Sequence, residues 1–212
     1  MTLAGLTLPE ISEFDPPIAG EGSIDPMGLA AISDRLADRL VPGVRAQMQR
    51  VRSVTATAVG ALACETLVDE LPADGVSTPA IAFEWLVAEA FVRRLTPQQM
   101  PPGVPGSLKA RTVVARQQRL SAATYLRGPA VFGFNGVYKP FAVDASVVDS
   151  ELPGARCANL TGAWELDHGL DGFSNAVPHT DGARLRGQIR DQVREALRRS
   201  RPGSWCRSSC VP

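Results

Sequence analysis

The stretch TPAIAFEWLVAEAFVRRL, residues 78–95, carries the signals of one long helix. Thr78 can accept a hydrogen bond from the free amides of the first turn, and Pro79 suits the first helical position because it has no amide hydrogen to leave unpaired. Apolar side chains then recur at helical spacing, at Ile81, Trp85, Ala88, Val92 and Leu95. We therefore expect a helix that buries this face and places Trp85 in a core.

Two more helices are predicted before this one. The first lies in SIDPMGLAAISDRLADRLVPG, residues 23–43, where Asp25 is a candidate N-cap and Pro26 a first helical residue. Its apolar stripe consists of Leu29, Ile32, Leu36 and Leu40. The second, at about residues 44–71, is rich in small side chains, as is typical of a centrally packed helix. We expect the three helices to form one acidic bundle within residues 1–95.

The chain changes character after this bundle. Residues 96–106 contain four prolines and two glycines, which predicts an exposed loop or a domain boundary. A fourth helix is predicted from Ser107, its candidate cap, to Leu126, with an apolar side that includes Leu120 and Tyr125 or Leu126. Its other faces carry cations and no acid, which makes it a candidate for contact with phosphates.

The stretch RGPAVFGFNGVYKPF, residues 127–141, combines aromatic rings with glycines and basic ends. It does not fit the base-stacking strand of an RNA-recognition motif, because Pro129 stands where the first stacking ring is required. A turn and short strand, followed by a helix that Asn135 caps, fits better and makes the aromatic side chains mostly core. A further helix is predicted from an Asn159 cap to a stop at Gly169. We interpret residues 107–180 as the basic helix plus a winged-helix-like unit.

The last predicted helix spans residues 181–200 and is amphipathic and basic. Its apolar stripe, with one residue in every four, consists of Leu185, Ile189, Val193 and Leu197. Three uses are open to it: packing on the acidic bundle, docking on a partner, or lying on an anionic surface. Packing is the expectation. Residues 201–212 have no apolar periodicity and are predicted to be a flexible tail.

Composition places the chain among globular proteins. It has 212 residues, of which 44% are hydrophobic and 21% charged, enough to bury a core. No apolar run suits a membrane span or an export signal, so we expect a cytoplasmic protein with no membrane role. Cys64 and Cys157 stand singly in apolar contexts and are predicted to be buried. Cys206 and Cys210 lack a second Cys/His pair, so no metal site is predicted from them.

The formal net charge of zero hides four blocks of alternating sign. Residues 1–89 hold thirteen acids and five arginines, for minus eight, and residues 90–143 hold eight cations and no acid. Residues 144–181 hold seven acids and one arginine, for minus six, and residues 182–212 hold eight arginines and two acids, for plus six. A solvated face normally mixes signs. The cations of residues 90–143 therefore either pair with the first block inside one fold or face an anionic partner such as nucleic acid.

The candidate nucleic-acid contacts are cations in this acid-free block. They are Lys109, Arg111, Arg116, Arg119, Arg127 and Lys139. If they meet duplex DNA, binding is expected to weaken with salt as counterions are released.

Catalytic material is scarce, because the chain has only two histidines. Around His168, the acids Glu165, Asp167 and Asp171 could in principle hold a cation or act as a general base. Glu165 and Asp167 lie about 200° apart around a helix, however, so they do not converge. The sequence lacks a phosphate loop, a GxSxG motif, an HExxH motif and a paired CxxC. It predicts no catalytic residue, no metal and no cofactor, and favours a non-catalytic protein.

Two stretches of the sequence resemble a known protein family. The stretch IDPMGLAAISDRLADRLVPGVRAQMQRVRSV, residues 24–54, resembles the N-terminal part of an uncharacterised bacterial family found among phage-defence genes, and FGFNGVYKPFA, residues 132–142, resembles a segment of such proteins. The likeness covers about a fifth of the chain. It implies a defence or DNA-linked role and brings no catalytic residue with it.

The sequence thus predicts a mainly α protein, a helical bundle followed by a winged-helix-like unit. The first functional hypothesis is a non-catalytic, nucleic-acid-associated component that binds DNA, in a bacterial defence system. Two alternatives stay open: a protein–protein adaptor that docks through its charge blocks, and a hydrolase that uses the acidic residues around His168. Partners are therefore DNA or other protein subunits.

Overall fold

The structure, a computed structural model, describes residues 29–40, 43–44, 48, 50–101, 104–126 and 133–199. The described chain is mainly helical, as the sequence predicts. In chain order the helices are α1 (Leu29–Leu40), α2 (Arg52–Cys64), α3 (Pro79–Arg94), α4 (Ser107–Ala115), α5 (Phe134–Asp144), α6 (Cys157–His168) and α7 (Asp181–Arg199). A 3₁₀ turn at Glu65–Leu67 follows α2, and a hairpin of β1 (Val148–Asp149) and β2 (Leu152–Pro153) separates α5 from α6.

The start of α3 confirms the prediction made from residues 78–95. The Thr78 side chain accepts a hydrogen bond from the Ile81 amide at 3.4 Å, with Pro79 in the first helical position. Trp85 is 1% exposed, the most buried large side chain of this helix. Ala88 is buried beside it, while Ile81 and Val92 pack against the same cluster as partly buried residues. Local capping and the apolar spacing therefore agree with the tertiary packing.

Helix α2 lies at the centre, as its small side chains predict. It packs on α3 and α7 through one group of residues and on α5, α6 and the hairpin through another, which gives two hydrophobic clusters. Gly60 shows why small side chains are needed here, because a Cβ at this position would lie 2.5 Å from the Phe83 ring. The first cluster contains Trp85, and the second contains Tyr138.

The last helix also behaves as predicted. In α7, Val193 and Leu197 are buried, and Leu185 and Ile189 pack at the edge of the first cluster. Two of its arginines reach the acidic first block: Arg186 bonds Glu65 at 2.8 Å and Arg194 bonds Glu70 at 2.7 Å. Of the three uses open to this helix, packing on the rest of the chain is the one that the structure adopts.

Three predicted helix starts differ in detail. The residue before α4 is Gly106, with φ of +70°, so Ser107 is the first helical residue and not the cap. No side chain of its own segment caps α5, and Asn135 lies inside that helix. Helix α6 begins at Cys157 after Arg156, so Asn159 is not its cap, although Gly169 ends it with φ of +62° as predicted.

Helix α4 is also shorter than the predicted span of residues 107–126. It ends at Ala115 because Gln117 adopts a left-handed backbone, with φ of +56°, and the chain turns. Leu120 and Tyr125 are nevertheless buried, as their apolar character predicts. They reach the core from turns and not from a helical face.

Helix α1 is the largest departure from the predicted bundle. Its stripe exists, but Ile32 is 53% exposed, Leu36 54% and Leu40 82%, so these side chains do not join either cluster. The expected Asp25 cap and Pro26 lie outside the described residues, as do Arg127, Phe132, both C-terminal cysteines and the tail. None of the described helices has both the length and the apolar character needed to cross a membrane.

Candidate nucleic-acid interface

Four of the six predicted contact residues belong to α4 and the turns that follow it. Lys109 and Arg116 are exposed, Arg111 is half-exposed, and Arg119 lies partly covered beyond the end of the helix. Arg116 comes seven positions after Lys109, so the two lie on one side, about 10 Å apart along the helix axis, whereas Arg111 lies about 200° from Lys109 around the helix. Within the described part of the chain, Lys109, Arg111 and Arg116 form no ion pair.

The base of this surface is a buried carboxylate on α3. Glu89 accepts a hydrogen bond from the Leu120 amide at 2.6 Å, and its other oxygen lies 2.7 Å from Nε of Arg119. Arg93 approaches the same oxygen at 3.6 Å. Glu89 therefore holds the turn after α4 against α3 and positions Arg119, which becomes part of the fold as well as of the surface.

Lys139 lies apart from the other candidates. It sits on α5 and its Nζ bonds Oε1 of Glu151, in the hairpin turn, at 2.5 Å. This pair joins the acid-free block to the acidic third block. The sequence grouped Lys139 with the α4 cations as a contact residue, although on a separate predicted helix, and the structure gives it a carboxylate partner.

A second buried carboxylate, which the sequence analysis did not single out, supplies the missing cap of α5. Glu84 of α3 is 2% exposed and accepts hydrogen bonds from the Tyr125 hydroxyl at 2.7 Å and from the Asn135 amide at 2.9 Å. Burial raises the pKa of Glu84 above its ordinary value, although these hydrogen bonds oppose the shift. Burial and the nearby Glu84 charge also raise the pKa of Tyr125.

A signal for both glutamates was present in the sequence. Glu84 comes three residues after Ile81, and Glu89 four residues after Trp85, so both fall beside the apolar face of the same helix. A carboxylate at such a position is buried with the face and requires hydrogen-bond donors from elsewhere in the fold.

A small cleft opens next to Glu84 between α2, α3, α5 and the hairpin. Its volume is about 30 Å³, enough for about one water molecule. Cys64, Lys139 and Glu151 contribute to its lining. Burial, assisted by the Glu151 charge, raises the pKa of Cys64 to about 12, so this residue remains a thiol at neutral pH and is a poor nucleophile.

The acidic residues around His168 do not converge on a point. Glu165 accepts a hydrogen bond from the Ser174 amide, while the His168 Nδ1 atom lies 3.0 Å from the Trp164 carbonyl oxygen and its ring packs against Trp164. Asp167 and Asp171 are exposed. In the described part of the chain, no three His, Cys, Asp or Glu side chains lie close enough together to hold a metal ion.

Comparisons with models of known protein families, with curated proteins and with solved structures find no match to this chain. The resemblance to phage-defence proteins therefore stays an expectation from residues 24–54 and 132–142.

Proposed function

We propose that this protein is a non-catalytic component that binds the phosphate backbone of duplex DNA through α4 and the turn that follows it. The observation that carries the proposal is a set of cations without carboxylate partners among the described residues. This set, the α4 surface, consists of Lys109 and Arg116 on one side of the helix and Arg111 about 200° from Lys109 around it. Glu89, the acid that contacts the turn after α4, is already bound by Arg119 and a backbone amide, so it does not compensate the charge of these residues.

The geometry of the α4 surface suits backbone contact better than base readout. Lysine and arginine side chains spaced along an exposed helix can meet successive phosphates, and each contact releases counterions. Specific readout requires an exposed helix or ribbon that enters a groove. Helix α5 occupies the place of a second helix in a winged-helix-like order, but it is largely buried against α2. We therefore propose binding with little sequence preference.

The winged-helix-like order of α4, α5 and the short hairpin belongs to the same proposal. The bacterial defence setting rests on the resemblance of residues 24–54 and 132–142. A DNA-bound subunit without catalytic residues would suit such a system as a tethering component.

Two charge-matched variants test the proposal. The first replaces Lys109, Arg111 and Arg116 with Ala together, and the control replaces Arg184, Arg190 and Arg198 of α7, which removes the same charge from another face. We expect labelled duplex to bind the wild type with an affinity that falls with salt. The α4 variant is expected to lower the slope of log K against log salt by up to about 1.8, or 0.9 for each of the two contacts that Lys109 and Arg116 can make from one side of the helix. Failure to bind at low salt, or an equal loss in both variants, would refute the proposal.

The adaptor alternative is supported by the apolar stripe of α1 and not by the charge blocks. The charge blocks themselves meet inside the fold, through Arg119 with Glu89, Arg186 with Glu65 and Arg194 with Glu70. They are therefore engaged in intramolecular contacts. The exposed apolar stripe of α1 is the feature that supports docking on another protein. No observation on the described residues favours the hydrolase alternative.

A further inference from the structure

Helix α1 presents an apolar stripe to solvent, whereas α7, which carries a similar stripe, buries it in the first cluster. Leu29, Ile32, Leu36 and Leu40 are all more than half exposed. The exit of the helix nevertheless lies close to α5. At Gly43, where φ is +75°, a Cβ would stand 2.8 Å from Cα of Phe141, so the backbones are in close contact there. The stripe is thus exposed on a helix that is followed, three residues later, by a contact with the body of the protein.

The spacing of the stripe matches one mode of protein recognition. Its members stand at positions i, i+3, i+7 and i+11, which follow one face of an α-helix over three turns. Amphipathic helices with anchors at this spacing dock in apolar grooves of partner proteins. Four exposed aliphatic side chains are few for a stable interface by themselves, so a groove that surrounds them is a better fit than a flat surface.

The two flanks of the stripe differ chemically. At 100° per residue, Arg35 and Arg39 lie along one edge, and Ser33 and Ala37 lie along the other. All four are exposed. A partner that fits this helix therefore offers negative charge on one rim of its groove and close apolar approach on the other.

This asymmetry argues against two other occupants. In an antiparallel pair of identical helices, like flanks face each other, so a second copy would set Arg35 and Arg39 against the same arginines. An anionic membrane would attract those arginines, but the helix segment also contains Asp34 and Asp38 and has no net charge, whereas helices that bind such membranes are basic.

We propose that α1 is a docking helix that inserts its apolar stripe into a groove of a different protein, with acidic residues on the rim that faces Arg35 and Arg39. The proposal rests on the adaptor alternative above and is independent of DNA binding by α4.

The test uses the full-length chain and two synthetic helical-hairpin peptides, whose two paired helices form a groove lined by Leu and Ile side chains. One peptide carries glutamates beside the core and the other carries lysines at the same places. Fluorescence anisotropy should show binding at least about tenfold tighter for the acidic peptide. Leu36→Asp should abolish this binding, and Leu166→Asp, at an exposed leucine of α6, should not. Replacing Arg35 and Arg39 with Glu should reverse the preference for the acidic peptide.

The same variants identify the other occupants. Equal binding of the two peptides, or binding that survives Leu36→Asp, would overturn the proposal. It would also fail if sedimentation showed a dimer that Leu36→Asp dissolves, if anionic vesicles bound through α1, or if only deletion of residues 1–28 allowed peptide binding. Duplex binding separates this proposal from the first one, because Leu36→Asp should leave it unchanged, and circular dichroism should show the wild-type helix content.

Discussion

Helices α1 and α7 carry the same local pattern and have different surroundings. Each repeats aliphatic side chains every three or four residues and bears arginines at the edges of that stripe. In α7 the stripe meets the cluster around Trp85, and Arg186 and Arg194 find Glu65 and Glu70. In α1 the stripe is exposed. Periodicity thus predicted both helices, but only the tertiary fold reveals which of them has a matching surface.

The two helices differ in whether the fold provides a surface for the stripe to pack on, and not in the stripe itself. The surface on which α7 packs is formed by α2 and α3, which supply small and aromatic side chains, and by the acidic segment that follows α2. The described residues contain no comparable surface against α1. Substitutions in this packing surface should therefore lower the free energy of unfolding most, and substitutions on the two helices should lower it less.

The largest loss of stability is expected from a substitution in the surface on which α7 packs. Trp85→Ala removes the most buried large side chain of α3 and leaves a cavity under α7, so the free energy of unfolding should fall by about 3–5 kcal/mol. Urea unfolding with tryptophan-independent detection, by far-ultraviolet circular dichroism, measures this change. Arg94→Ala, at the exposed end of the same helix, is the control and should change stability by less than about 0.5 kcal/mol. Comparable losses in the two variants would contradict the role assigned to this cluster.

The next effect compares the two stripes directly. Leu197→Ala in α7 should cost about 2–5 kcal/mol because the side chain is buried in the first cluster. Leu36→Ala in α1, the same substitution at an exposed position, should cost less than about 0.5 kcal/mol. Chemical unfolding of both variants gives the two values. A large loss for Leu36→Ala would mean that the stripe is covered within the free chain, and the docking proposal would fall with it.

The sequence was sufficient where local and tertiary signals agree. The start of α3, the buried Trp85, the end of α6 at Gly169 and the whole of α7 follow from caps and apolar spacing. The length of α4 did not follow, because Glu89 draws the amide of Leu120 into the core and the chain must turn before it. Such a contact joins residues 31 positions apart, and a local pattern cannot encode it.

The candidate site was also predicted only in part from the sequence. The acid-free block predicted Lys109, Arg111 and Arg116 as contact cations, and the structure leaves Lys109 and Arg116 exposed and Arg111 half-exposed. It offered pairing with the first block as one alternative, which Arg119 adopts with Glu89, but it did not identify these partners or the pairing of Lys139 with Glu151. Partner choice between cations and carboxylates depends on which elements become neighbours. It therefore required the fold.

The start of α5 also depends on a partner from elsewhere in the fold. Its own segment supplies no cap, and Glu84 of α3 accepts the hydrogen bond of the Asn135 amide. Burial raises the pKa of Glu84 in the folded state above the value of about 4.3 in an unfolded chain. Between these two pKa values the folded protein keeps a proton that the unfolded chain has lost. Stability should therefore fall as pH rises through this window, by up to about 1.4 kcal/mol per pH unit.

Glu84→Gln tests this dependence because an amide has no proton to lose in that range. We expect the plot of unfolding free energy against pH to be flatter for the variant above pH of about 4.3. Glu195→Gln, at a partly exposed carboxylate of α7, is the control and should keep the wild-type slope. An unchanged slope in Glu84→Gln would show that this carboxyl does not titrate with a raised pKa.

The smallest effect concerns the arginines beside the α7 stripe. Arg194 bonds Glu70 at 2.7 Å, with about a third of each side chain exposed, so their coupling should be about 0.5–1 kcal/mol. A double-mutant cycle of Arg194→Ala and Glu70→Ala measures it, and high salt should reduce it. Arg198→Ala is the matched control on the same helix, because its side chain is exposed. A coupling of zero would mean that Arg194 adds nothing to the apolar contacts that hold α7 in place. Arg194 would then be equivalent to the exposed arginines of α1, and the pair of Arg186 with Glu65 would be the remaining charge difference between the two helices.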